Sequence, residues 1–143
     1  VRRLVGSEMC IRDRQYISRG LNEKFWNGEV KDIPVFLKPL GKQRLGEFRF
    51  IGNTGINSIL LSNNAGLSTK EMIGVLAHEM THQWVFQNYG CEVEEHGKEW
   101  TTEILRIGFD EENLDGLTFC DDSLFATLML LHDEMINDSK RDI

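Results

Sequence analysis

The sequence predicts an α+β domain: a helix, a small three-stranded antiparallel sheet, then helices to the end. Three observations point there. Apolar residues recur at helical spacing near the start and again beyond residue 68. Between these stretches lie three short runs rich in β-branched and aromatic residues. Turn residues separate the runs, and this order of elements is that of an α+β fold.

Each element has its own signal. From Gln15 to Trp26 the apolar positions are Tyr16, Ile17, Leu21, Phe25 and Trp26, and Asn27-Gly28 stops the helix because both residues tolerate the left-handed cap conformation. Ile33 to Leu37 is the first strand, pushed toward a sheet edge by Pro34. Leu45 to Ile51 alternates and Ile56 to Leu61 is the third strand, with Asn53-Thr54-Gly55 as the turn between them. Ser68-Thr69-Lys70-Glu71 is a capping box, and Met72, Ile73, Val75, Leu76 and Met80 carry the next helix to about Asn88. Tyr89-Gly90 ends it. A polar loop, Cys91 to Glu95, leads to a helix from His96 to about Ile107, and a last helix spans about Asp121 to Ile136.

The 143 residues suit one domain, and 41% apolar content supports a core. The first fourteen residues are arginine-rich and lack apolar periodicity, and Met9-Cys10-Ile11-Arg12-Asp13-Arg14 resembles a frame of a sequencing-library adapter. They are expected to be a non-native or disordered leader. Residues 15–143 are then the domain, with a core of about 15–108 and a helical extension of about 109–143. The formal net charge is −7, and without the leader's four Arg, one Glu and one Asp it is −9. That balance argues against a general electrostatic grip on nucleic acid. No apolar run approaches the ~20 residues of a membrane helix. Cys10, Cys91 and Cys120 form no C-x-x-C pair, which reads as reduced thiols in a cytoplasmic, intracellular protein.

The chemistry concentrates at His78-Glu79-Met80-Thr81-His82, an H-E-x-x-H motif. Residues four apart on a helix are rotated by about 400°, so both imidazoles lie on one face and reach one metal ion. Glu79 stands beside them, angled to act as general base on a metal-activated water. A solvated histidine pair is the bland alternative. Against it, the helix is strongly apolar, and three of the chain's four histidines fall within nineteen residues. An extended H-E-x-x-H-x-x-G-x-x-H motif needs Gly at position 85 and His at 88; Val85 and Asn88 exclude it. His96, fourteen residues past His82, is the natural third ligand, at the start of a helix where Gly97 allows close backbone approach and Trp100 can pack on the first ligand helix. Three imidazoles and one water make an open catalytic zinc site. Cys91, Glu99 and Glu103 are the alternative ligands.

HEMTHQW followed by EEHGKEW resembles the SprT-like family, which includes the Spartan-type proteases that digest protein crosslinked to DNA. Leu21-Asn22, Phe25 to Glu29, Leu45 to Phe48 and Ile59 to Ser62 extend the resemblance over roughly residues 20 to 108. It implies a zincin-like metallopeptidase domain with one catalytic Zn2+ on His78, His82 and His96, and Glu79 as the catalytic residue. It also implies a protein or peptide substrate, with DNA as a partner. Two departures bear on DNA. Only Cys120 follows the motif, so the zinc ribbon of many bacterial members cannot form, and the domain is acidic where the repair members are basic.

Around this site, Trp100 and Glu103 are candidate supports, Glu103 as acceptor for a ligand's second N–H. Tyr89 and His132 are the polar candidates for oxyanion support, His132 reading better as a packing or rim residue. An extended substrate is expected to pair with an open strand edge, with Ile56 to Leu61 as the candidate. The acidic loop Glu92 to Glu95 favours basic substrates or is simply solvated. The competing function is a zinc-stabilised protein- or nucleic-acid-binding module without turnover, which has no need of Glu79.

Overall fold

The computed structural model describes residues 11–41, 43–50, 57–111 and 122–141, with residues 12 and 138–141 described by their backbone alone. Within them the order is α1 (Ile11–Trp26), β1 (Val35–Lys38), β2 (Gly46–Phe50), β3 (Asn57–Ser62), α2 (Thr69–Tyr89), α3 (Lys98–Arg106) and α4 (Asp122–Arg141). The expected Asn53-Thr54-Gly55 turn, Cys10, Cys120 and the leader's residues 1–10 lie outside the described residues.

Helix α1 starts at Ile11, four residues before the expected Gln15, so residues 11–14 belong to the helix. Asp13 and Arg14 are buried. The Arg14 Nε donates to the Val35 carbonyl at 2.8 Å, a bond that residue type and periodicity do not announce. At its other end α1 stops as expected. Asn27 (φ 51°) and Gly28 (φ 78°) take left-handed conformations, and the Gly28 N–H returns to the Asn22 carbonyl at 3.1 Å. The Asn22 side chain then pins the following loop, bonding both the Val30 N–H and the Val30 carbonyl.

The sheet is mixed, not antiparallel. Its order is β1-β3-β2, with β1 parallel and β2 antiparallel to β3. Hydropathy agrees with the order. Ile59, Leu60 and Leu61 are consecutive and all buried, so both faces of β3 are covered, the pattern of an interior strand. β1 and β3 run the same way, and bringing them side by side makes that pair parallel. The centre position also overturns β3 as the open edge for a substrate. The edges are β1, where Pro34 had pointed, and β2.

Helix α2 is the middle of the molecule. It packs against α1, α3, α4, β2 and β3, and twelve of its residues are buried, among them Met72, Ile73, Leu76 and Met80. Its start is the expected capping box: the Glu71 N–H donates to Ser68 Oγ at 3.2 Å, and the Ser68 N–H donates to Glu71 Oε1 at 2.9 Å. Ile17 and Leu21 of α1, Ile59 and Leu61 of β3, and Ile104 of α3 complete the core. Helix α4 buries Leu124, Leu128, Leu131 and Met135 at spacings of four, three and four residues, and packs on α1 and α2. The C-terminal extension thus includes a supporting helix. No described helix is long and apolar enough to cross a membrane.

Candidate metal centre

Helix α2 presents His78 and His82 from one stripe, as the four-residue spacing requires. After Tyr89 the chain turns at Gly90 (φ 76°) and comes back through a loop to His96. The Gly97 N–H closes that loop on the Glu94 carbonyl at 3.1 Å. A Cβ on Gly97 would stand 3.0 Å from Glu94 Cβ and 3.3 Å from the Glu94 carbonyl oxygen, so the return is tight there. Gly97 is also the N-cap of α3, in an extended conformation. His96 therefore precedes α3 instead of opening it, which corrects the expectation of a second ligand-bearing helix.

One nitrogen from each of His78, His82 and His96 lies within 4.8 Å of the others. Ring centroids are 5.2 Å apart for His78 and His82, 4.9 Å for His82 and His96, and 6.0 Å for His78 and His96. Trp100, buried at the base of α3, is the common wall. It stacks on His82 at 5.0 Å and 15°, meets His96 edge-on at 4.5 Å and lies 5.0 Å from His78. Burial, helped by the neighbouring His78 and His96, pulls the His82 pKa down to about 3. Its imidazole is neutral at physiological pH, the form that ligates a metal. Three imidazole nitrogen donors beside an open cleft suit a borderline dication such as zinc.

Glu79 is buried beside them, its Oε2 4.0 Å from His78 Nε2. Burial raises its pKa to about 8; the charges of Glu95 and Glu47 add to the rise, and the Phe48 N–H and Arg44 oppose it. That value belongs to the metal-free site, since a bound dication favours the carboxylate. Strand β2 reaches Glu79 only because residue 46 is glycine. A Cβ there would stand 2.6 Å from Val75 Cγ1 and 3.1 Å from Glu79 Cγ.

Between β2 and the loop after α2 runs a cleft of about 510 Å³. His78, Glu79, His82 and His96 line it, with Glu47, Glu94 and Glu95 as acidic groups. Phe48, Phe50 and Phe86 form an apolar end. Sequence reasoning missed this end. Phe48 and Phe50 read only as strand alternation, and the available signal was Phe86, four residues past His82 and so on the ligand stripe.

The structure thus brings together His78, His82, His96, Glu79 and Trp100. Glu103 has another task. It accepts from Trp26 Nε1 at 2.6 Å and from Arg106 at 2.5 and 2.9 Å, tying α3 to α1. Cys91 is exposed and lines the cleft outside the imidazole group, and Glu99 is also outside that group. Tyr89 is half-exposed against Trp84, and His132 lies on α4; neither lines the cleft.

No curated protein is similar enough to this chain to count as a relative. The SprT-like family matches residues 15–118, a stretch that holds all three imidazoles, Glu79, Trp100 and every strand among the described residues. Metallopeptidase-like function is associated with that family, and a trio of histidines able to hold a metal ion fits it. Because the match spans well over half of the 143 residues, the chain belongs to the SprT-like family.

Proposed function

We propose that the protein is a zinc-dependent peptidase that hydrolyses peptide bonds in its β2-side cleft. The observation that carries this reading is the position of Glu79. It is a buried carboxyl next to three converging imidazoles, on the wall of an open cleft. A site that only stabilises a fold has no use for it.

His78, His82 and His96 hold the ion. When bound, zinc acidifies a water, polarises the scissile carbonyl and stabilises the oxyanion. Glu79 accepts the proton as the water attacks and returns it to the leaving amine. The Phe48 N–H, which donates to Glu79, orients the carboxylate for both transfers. Trp100 fixes the imidazole planes and excludes water behind them. The substrate lies extended along β2, the edge strand that borders the cleft, and pairs with its main chain.

Protein bound or crosslinked to DNA is the substrate class that the family resemblance brings. The charge of −7 does not support a DNA grip by the domain itself. Measuring metal content and cleavage of unfolded protein, with and without single-stranded DNA, tests the reading. Stoichiometric zinc with chelator-sensitive cleavage is expected. Stoichiometric zinc without cleavage under either condition would favour a binding module.

A further inference from the structure

Past the imidazoles the cleft turns apolar. Phe86 follows His82 by four residues, so it continues the ligand stripe about 6 Å further along α2. Phe48 and Phe50 are two apart on β2 and project from one face. The three rings meet: Phe50 stacks on Phe86 at 4.5 Å, and Phe48 lies 5.6 Å from Phe86 and 5.9 Å from Phe50. Phe50 still leaves 41% of its surface exposed. An exposed aromatic patch inside a cleft, against a wall of four carboxyl groups, is a binding surface by its composition.

We propose that Phe48, Phe50 and Phe86 form a specificity subsite that receives a large apolar side chain of the substrate, within two residues of the cleaved bond. The proposal rests on the peptidase reading above. Spacing supports it. A peptide paired along β2 repeats its side chains on one face every ~6.8 Å, close to the step from His82 to Phe86. Charge narrows the occupant. Four carboxyl groups line the cleft, Glu47, Glu79, Glu94 and Glu95, and Arg44 is held by Glu47 at 2.8 Å. An acidic side chain or a nucleic-acid strand is repelled there, and an apolar side chain is not.

Peptides that differ only in Phe, Leu, Ala or Glu at successive positions are the probe. The zinc-loaded protein is assayed for the bond cut and for kcat/KM. Binding of the same peptides to zinc-loaded Glu79→Gln is measured by fluorescence anisotropy. Cleavage within two residues of Phe or Leu is expected, with a Phe-over-Ala preference between about 10- and 100-fold, the value of burying one large apolar side chain. Phe50→Ala, on an exposed strand position, should collapse that preference while zinc content holds. Phe86→Leu, which keeps apolar volume, should weaken it less.

Bond choice indifferent to apolar residues, or a preference that survives Phe50→Ala, overturns the subsite. Failure of the peptidase reading looks different. In that case nothing is cut, yet Glu79→Gln binds Phe peptides over Ala peptides and Phe50→Ala abolishes the difference, which upholds the subsite. Absence of both cleavage and discriminating binding overturns it. So does single-stranded DNA that displaces the peptide and itself depends on Phe50.

Discussion

Burial gives Glu79 two roles that can be measured apart. Glu79→Gln keeps size and helix propensity but cannot take a proton. Zinc content should stay near that of the parent while cleavage falls by roughly 10²–10⁴-fold, as for a lost general acid–base. Mass spectrometry of the holoprotein and a peptide assay read the two quantities. Without metal the same substitution acts on stability. The folded carboxyl titrates at about 8 and the ordinary one at 4.5, so between these pH values the folded state holds the extra proton. The contribution of this group is therefore complete below about 4.5 and is lost as pH rises through 8. Denaturant titrations under chelator should show metal-free Glu79→Gln gaining on the parent as pH goes from 5 to 9; a constant gap would contradict the burial argument. His96→Ala should abolish tight zinc binding, while Cys91→Ala and His132→Ala leave it nearly unchanged, by equilibrium metal titration. Most of this centre was legible, because H-E-x-x-H fixes spacing on one helix and His96 stands in a distinctive H-G-x-x-aromatic string. Glu103 was not, since a carboxylate that serves Trp26 from 77 residues away has no local signature.

At the scale of elements, strand and helix bounds were legible where turn chemistry marks them, as at Asn27-Gly28, Ser68 and Gly90. Neighbour relations were not. A run of β-branched and aromatic residues marks β1 as a strand, yet only the consecutive apolar residues Ile59-Leu60-Leu61 hint that β3 is the interior strand. The start of α1 was misplaced for a similar reason, because Arg14 is held by a backbone carbonyl of β1 and not by an apolar stripe. Truncation after residue 14 should consequently destabilise the domain by about 1–3 kcal/mol, the cost of leaving the buried Val35 carbonyl without its charged donor. Truncation after residue 10 leaves that bond in place. Chemical denaturation of the two truncated chains separates them, and equal midpoints would place the helix start at Gln15 after all.

For the whole molecule, an ion held by His78, His82 and His96 would bridge α2 and the loop that leads into α3, which would couple occupancy to folding. Zinc at 100 times its dissociation constant should stabilise the domain by about 2.7 kcal/mol. Melts with and without chelator should differ by several degrees; coincident midpoints would argue that the imidazoles hold no ion. The same architecture supplies its own signal for that titration. Trp100 packs on all three imidazole rings, while Trp26 bonds Glu103 and Trp84 packs on Tyr89. With those two replaced by Phe, the remaining indole becomes a single-site optical probe. Its emission intensity should follow the charge state and occupancy of the ring cluster, so that metal loading can be timed in a stopped-flow fluorimeter without any added dye.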